Sequence, residues 1–346
     1  MIDIENLKRT VQHNCDIIDA EHGQNYGLCI YLLRMRDYFR WHKQIPLHQD
    51  LNNDDIHNWI ANTEEHWDQI SGNALQNIAL NGHTYKPFDS DSINDQLNPE
   101  GLIYSGGLGY GGIPLFFLAE LDHEDKQNGF SVFLAGKEHS RGLFGTPAFF
   151  RDDKIIIRQE ALKHLYWSRY DEWSFSKREN TLGRALSYYD FKNCPSEAIE
   201  DITKFELPVI IQHEIGEGIL DKEFGPTWAE MILEFAYSKT EILLRAVRDL
   251  AADCMTTLPF LLAEQRIPSI HMFFAGYSDM RKELFPSLFN AYKDWQPGND
   301  FNKLNELVEQ GKIFWFDVGK KSMEMFRKDG KLSQEPLNQF IENLSQ

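Results

Sequence analysis

The chain has 346 residues, and its 35 lysines and arginines against 53 aspartates and glutamates give a formal net charge of −18 at pH 7. Its hydrophobic fraction of 42% is too high for a disordered chain. No apolar stretch approaches the ~20 residues that a membrane-spanning helix needs, so no membrane partner is expected. Because the negative charge repels phosphate backbones, nucleic acid is not an expected partner either.

The N-terminal segment and the cysteines predict where in the cell the protein is located. The first residues contain no basic segment followed by an apolar stretch, so they do not resemble a secretory signal. The four cysteines, Cys15, Cys29, Cys194 and Cys254, form no C-x-x-C pair. Scattered thiols without an export signal are typical of a reducing compartment, and the predicted location is the cytoplasm.

Residues 1–99 are predicted to form an N-terminal helical region. Apolar residues recur with helical spacing across residues 26–41, and Pro46 ends that helix. Residues 52–55 supply capping side chains for a second helix. Residues 81–99 are rich in proline, asparagine, aspartate and serine, which predicts a loop.

Residues 100–157 are predicted to form a small sheet, and residues 158–346 a helical domain. Short aromatic runs separated by turn residues predict strands at 102–105, 114–121, 130–135, 148–150 and 154–157. Residues 122–129 are predicted to be a turn. The fold class is therefore α+β, mainly helical with a small antiparallel sheet in the middle of the chain. The three regions are expected to form one or two compact domains.

Three segments carry a resemblance to a known family. They are residues 32–41, the glycine-rich residues 109–114 and residues 213–217. Taken together, they resemble an uncharacterised bacterial protein family, and the resemblance extends over most of the chain. Because no activity is established for that family, the resemblance implies neither a function nor site residues.

The most informative segment is residues 207–220, which contains His213, Glu214 and Glu217. On a helix, His213 and Glu217 are four residues apart and share a face. Apolar residues lie on both sides of this pair, which predicts a buried helix. A buried carboxylate without a partner is costly, so these groups need a partner or a cation. Gly216 and Gly218 each weaken the helix by ~1 kcal/mol, which predicts a closely packed neighbour.

The same segment resembles the H-E-x-x-H signature of zinc proteases, with Glu217 in place of the second histidine. One imidazole and two carboxylates suit iron, manganese or zinc with open coordination positions better than a closed structural zinc site. Glu214 is then a candidate general base or further ligand. The alternative is a buried structural network in which arginines and backbone groups satisfy these side chains.

Two other regions supply further candidate ligands. Arg245, Asp249 and Asp253 form one i, i+4 row on a helix predicted over residues 239–262. If that helix packs antiparallel to the first, Asp249 or Asp253 reaches His213 and Glu217. The alternative is a surface pair between Arg245 and Asp249. His139 follows the strand at 130–135 and is a possible third ligand or base, although an exposed turn histidine is the simpler interpretation.

Three weaker motifs are considered and disfavoured. Residues 107–112 match G-x-G-x-x-G, but no βαβ alternation follows them, so a tight turn is favoured and no nucleotide cofactor is expected. Glu120 and His123 form the E-x-x-H of di-iron proteins, but that motif needs a helix and the segment reads as a strand. Arginines among the aromatics of residues 34–43 are interpreted as solvated or paired rather than as a nucleic-acid surface.

The sequence therefore predicts a soluble, cytoplasmic, metal-dependent enzyme that acts on a small molecule. The candidate ligands of a divalent iron, manganese or zinc ion are His213, Glu217, Asp249, Asp253 and His139, with Glu214 as the catalytic base. The alternative is a non-catalytic interaction or regulatory protein in which the same cluster is a buried polar network.

Overall fold

The computed structural model describes residues 2–109, 112–277, 279–295 and 300–344. Over these residues the chain forms helices and two sheets, and the α+β prediction is confirmed. The α-helices are α1 Ile4–His22, α2 Leu28–His42, α3 Asn53–Ile70, α4 Ser90–Leu97, α5 Gln159–Ser176, α6 Thr181–Leu186, α7 Pro195–Phe224, α8 Pro226–Glu234, α9 Lys239–Ala252, α10 Leu258–Ala263, α11 Ile267–Ala275, α12 Asp279–Leu284, α13 Pro286–Asp294, α14 Asn302–Asp329 and α15 Gln334–Glu342. The strands are β1 Ile78–Leu80, β2 His83–Tyr85, β3 Leu102–Leu108, β4 Pro114–Gln127, β5 Phe130–Arg141, β6 Ala148–Arg151 and β7 Lys154–Arg158.

The main sheet has five strands in the order β3-β4-β5-β7-β6, and β1 and β2 form a separate antiparallel pair. Strands β3 and β4 pair antiparallel from Leu102 opposite Glu120 to Leu108 opposite Pro114. The main sheet is mixed, so the prediction of an antiparallel sheet was wrong. The sequence is a poor guide to strand direction, because the alternation of apolar and polar residues shows which face of a strand is buried and not the direction of the neighbouring strand.

The predicted turn over residues 122–129 was also wrong, because β4 continues to Gln127. Only Asn128 and Gly129 turn, and both have positive φ angles, of 50° and 83°. Two consecutive residues with positive φ are typical of the type I′ hairpin turn, for which Asn-Gly is the favoured pair. The exposed acidic residues before them resemble a loop in composition although they extend the strand.

A third correction concerns residues 81–99, which were predicted to be a loop. They contain β2 and the helix α4, whose Ile93 and Leu97 are fully buried. These two residues are four apart and therefore share a helix face. Asn94 holds α4 against β3 through two hydrogen bonds of 2.8 Å with the backbone of Tyr104.

The chain divides into two compact units, one of which comprises Met1–Asp125, Phe133–Pro147 and Ile156–Trp167. Its core contains two hydrophobic clusters. The predicted second helix is present as α3, and the Asn52 side chain caps it by accepting hydrogen bonds from the amides of Asp54 and Asp55.

The other unit comprises Lys126–Val132, Ala148–Ile155 and Ser168–Gln346, and most of it is helical. One cluster of buried apolar residues, from Val209 to Ile341, forms its core. Pro208 lies inside α7, which continues through it. The predicted helix over residues 239–262 is interrupted by a π-helical turn, Asp253–Thr257, between α9 and α10. None of the described helices is both long and apolar enough to cross a membrane.

Candidate metal site

Helices α7 and α9 lie side by side and run in opposite directions. Along α7 from Gln212 to Glu217, the contacted residues run backwards through the π-helical turn and α9. Gln212 contacts Thr256, His213 contacts Asp253, and Glu217 contacts Arg248. The antiparallel arrangement, which the sequence offered only as a condition, is therefore present. It brings the polar faces of both helices together.

Gly216 allows this close approach. A Cβ atom at Gly216 would lie 2.5 Å from the Thr256 hydroxyl oxygen and 2.9 Å from the Ala252 carbonyl oxygen. Any larger residue would force the helices apart. Gly218 is equally constrained, because its Cβ would lie 2.8 Å from Phe150. The prediction of a closely packed neighbour at both glycines is confirmed.

The π-helical turn follows α9 at the site itself. The Leu258 amide donates to the Asp253 carbonyl five residues earlier, which is the hydrogen bond of a π-helix. Pro259 comes next and has no amide hydrogen to donate. The widened turn accommodates this proline without ending the helix. Single π turns are frequent at functional sites, and here the turn begins at Asp253.

Three of the predicted ligands converge. His213, Glu217 and Asp249 each offer one ligand atom, and these atoms lie within 4.8 Å of one another. The His213 Nε2 atom is 3.6 Å from Glu217 Oε1. The His213 and Glu217 side chains are 26% and 17% exposed, so solvent reaches both of them.

Asp253 contacts the opposite side of the imidazole. Its Oδ1 atom is 3.0 Å from His213 Nδ1, and its Oδ2 atom accepts a hydrogen bond of 3.0 Å from Arg281. Burial alone would lower the pKa of His213, but the hydrogen bonds to Asp253 and Glu217 outweigh it and raise that pKa well above its ordinary value. Without a metal, these two contacts favour the imidazolium form of His213.

The two glutamates of α7 differ in charge state. Burial opposes ionisation of Glu217, but Arg248, which donates to its Oε1 atom at 2.8 Å, and His213 lower the pKa of Glu217 below its ordinary value. Burial raises the pKa of Glu214, and the Glu217 charge raises it further. Within the described part of the chain, the buried Glu214 Oε2 and Arg248 Nε atoms have no hydrogen-bond partner.

Burial raises the pKa of Asp249, and the cluster is balanced in charge when Glu214 is protonated and Asp249 is ionised. The carboxylates of Glu217, Asp249 and Asp253 carry three negative charges, and His213, Arg248 and Arg281 carry three positive charges. A buried group of this size avoids a large desolvation cost only if its charges cancel in this way.

The remaining candidates have other surroundings. His139 is in the first unit, where its Nε2 atom lies 3.5 Å from a Glu120 oxygen. It does not belong to the group of three ligand atoms. Arg245 donates to Glu241 at 2.8 Å.

The glycine motif over residues 107–112 connects the antiparallel strands β3 and β4, although Tyr110 and Gly111 lie outside the described residues. A dinucleotide motif instead leads from a strand into a helix. Just before the motif, a Cβ atom at Gly106 would lie 2.0 Å from the Pro87 carbonyl oxygen, so that position needs glycine for close packing.

Sequence reasoning missed Arg248 and Arg281. Arg248 immediately precedes Asp249, and a cation beside a row of buried acids was available as a signal. Arg281 comes from α12, and no local pattern relates it to Asp253, 28 residues earlier.

The fold and site together define an α+β protein with a His/Glu/Asp cluster between two antiparallel helices. The chain belongs to the family of unknown function DUF6866. The model of the family's N-terminal domain matches residues 6–158 of the chain, and the model of its C-terminal domain matches residues 163–344. The predicted membership of an uncharacterised family is confirmed. Neither a curated protein nor a solved structure matches the chain.

Proposed function

We propose that His213, Glu217 and Asp249 bind a divalent iron, manganese or zinc ion and that the protein is a metal-dependent enzyme acting on a small molecule. One observation carries the proposal: three ligand atoms of suitable chemistry, from two helices, lie within 4.8 Å of one another at a solvent-accessible position. Two ligand atoms bound at 2.1 Å to one tetrahedral metal are about 3.4 Å apart. Small side-chain rotations therefore complete the group.

The donor set fits an open site. One imidazole nitrogen and two carboxylate oxygens leave at least one position of a four-coordinate ion for water or substrate. A metal bound there supplies a Lewis acid that activates water or dioxygen. The partly exposed side of the cluster, formed by His213, Glu217 and Arg248, is the side from which a substrate can approach.

Glu214 is suited to move a proton in such a site. It is one residue from His213, only 7% exposed, and its Oε2 atom is buried without a hydrogen-bond partner among the described residues. Burial raises its pKa towards neutrality, which favours proton exchange. A bound cation opposes that shift and favours the carboxylate, the form that accepts a proton.

Metal analysis of the purified protein tests the proposal. We expect stoichiometric iron, manganese or zinc in the wild type, and loss of it in His213→Ala and Glu217→Gln. His139→Ala is the matched control and should retain the metal. Absence of metal from the wild type after reconstitution with each ion would contradict the proposal.

A second measurement tests whether the ion has an open position. Manganese(II) bound to the protein should enhance the relaxation of water protons, because a coordinated water exchanges with solvent. No enhancement would indicate a closed structural site and would exclude the enzymatic part of the proposal.

The second candidate is a non-catalytic interaction or regulatory protein in which the cluster is a structural network. The charge balance without a metal favours it, because three carboxylates already face three cations. It predicts that His213→Ala lowers the melting temperature and leaves the metal content unchanged. A bound metal in the wild type that His213→Ala removes would contradict it.

A further inference from the structure

We propose that Asp253 and Arg281 are a positioning pair that orients His213 for the metal, which makes metal affinity depend on the docking of α12. This inference rests on the proposed metal site. It replaces the prediction that Asp253 is itself a ligand, and it gives a role to Arg281, which no sequence pattern indicated.

The contacts of Asp253 determine its role. Its Oδ1 atom is 3.0 Å from His213 Nδ1, and its Oδ2 atom accepts from Arg281 Nη1 at 3.0 Å. Both oxygens are therefore engaged, and the side chain is 2% exposed. The atoms that converge as ligands belong to His213, Glu217 and Asp249 instead.

The hydrogen bond to Asp253 selects the ring nitrogen that faces the metal. A carboxylate at Nδ1 keeps the proton on that nitrogen, so the lone pair of the neutral imidazole is on Nε2. Nε2 is the atom that faces Glu217, at 3.6 Å from its Oε1. Carboxylate–histidine–metal arrangements of this kind fix the tautomer and the ring orientation and raise the basicity of the ligand.

Arg281 in turn fixes Asp253. One terminal nitrogen of its guanidinium donates to Asp253, and the other donates to the Gly276 carbonyl at 2.8 Å. The guanidinium also lies over the Tyr277 ring, 5.7 Å from its centroid. Arg281 therefore connects Asp253, at the start of the π-helical turn, to the segment that leads into α12.

The loss of either partner has a predictable effect. Removing an outer hydrogen-bond partner of a metal-bound histidine typically weakens metal binding by about 10–100-fold. Removing Arg281 leaves Asp253 in place but unanchored, so we expect a smaller loss. Lysine at position 281 keeps the charge but not the planar fork, and it should restore only part of the affinity.

Titration with cobalt(II), followed by its visible absorption, tests these expectations. Asp253→Asn should weaken cobalt binding by about 10–100-fold. Arg281→Met should weaken it less, with partial recovery in Arg281→Lys. Arg327→Met is the matched control, because Arg327 is on α14 and donates to the Thr227 hydroxyl. It should bind as the wild type does, and circular dichroism should show that each variant is folded.

Three results would overturn the inference. Unchanged cobalt affinity in Asp253→Asn would show that Asp253 does not position His213. A drop in cobalt affinity as large as in His213→Ala, with a changed visible spectrum of the cobalt that still binds, would show that Asp253 is a direct ligand. Equal weakening in Arg327→Met would show a general effect on the fold.

A metal-free measurement separates this inference from the proposed function. Two-bond proton–nitrogen correlations of histidine-labelled protein report the protonation of each ring nitrogen of His213. Asp253→Asn should reduce protonation at Nδ1 even without metal. If the wild type binds no cobalt but this change occurs, the metal proposal fails while the orienting contact stands. If the histidine spectrum is unchanged, the positioning role fails.

Discussion

Metal binding should release about two protons at neutral pH. Before binding, His213 is an imidazolium and Glu214 is protonated, because the surroundings raise the pKa of each group. A ligand histidine must be neutral, and a divalent charge beside Glu214 favours its carboxylate. The four carboxylates of the cluster then balance two guanidinium groups and the ion, so the charge balance described above is preserved.

The size of the effect follows from this proton count. Below the pKa values of both groups, displacement of two protons tightens the apparent metal affinity by about 100-fold for each rise of one pH unit. The apparent metal affinity should rise with pH. Because the pKa values of both groups are raised, protons compete with the metal at low pH and compete less as the pH rises. Glu214→Gln removes one of the two protons and should reduce the dependence to about tenfold per pH unit.

Calorimetric titration in two buffers of different ionisation enthalpy measures the released protons directly. We expect about two protons for the wild type and about one for Glu214→Gln at pH 7. An affinity that does not change between pH 6 and 8 would refute the reasoning for both residues. An equal proton count in the two proteins would refute it for Glu214 alone.

Three further predictions concern stability and are checked by urea unfolding. Gly216→Ala should cost about 1–2 kcal/mol, because overpacking against α9 exceeds the ~1 kcal/mol gained in helix propensity, whereas Gly27→Ala, with no atom within 4 Å of the new Cβ, should be close to neutral. Burial raises the pKa of Glu206 from 4.5 to about 7. The folded chain therefore binds this proton more tightly than the unfolded chain, and stability falls as the pH rises from 4.5 to 7. Glu206→Gln should consequently exceed the wild type by roughly 3 kcal/mol at pH 8 and equal it at pH 4, and a pH-independent difference would contradict this origin. Glu138→Gln should cost about 3–5 kcal/mol, because it leaves the buried Arg158 uncompensated, whereas the exposed Glu120→Gln should cost less than about 1 kcal/mol.

The candidate site was predictable to the extent that it depends on helical periodicity. The i, i+4 spacing places His213 and Glu217 on one face, and the same spacing places Asp249 on a polar face of α9. Gly216 indicated a close neighbour because glycine is unfavourable within a helix. Together these local signals identified the three side chains that converge.

The contacts of Asp253 could not be predicted, because they depend on a π-helical turn and a distant arginine. Regular periodicity puts Asp253 in the same row as Asp249 and makes both appear to be ligands. The structure shows that Asp253 contacts the other imidazole nitrogen and Arg281. Neither the turn nor a contact across 28 residues has a signature in local spacing.

The wrong predictions about the fold also concern features that local sequence does not show. The helix α4 was obscured because its polar residues resemble a loop, although Ile93 and Leu97 form a buried face. Strand β4 was predicted too short because its distal residues are exposed and acidic. In both cases composition was a poor guide where pairing with a neighbouring segment determines the structure.

The charge balance of the cluster has a consequence for the kinetics of binding. Six charged groups that cancel produce little field beyond a Debye length of about 8 Å, so the cluster itself does not attract ions from a distance. The formal charge of −18 counts Glu214 as ionised and His213 as neutral, so a charge of −16 remains outside the cluster. The long-range field therefore favours approaching cations and opposes anions. Added salt should slow the association of divalent metal ions and accelerate that of anionic small molecules.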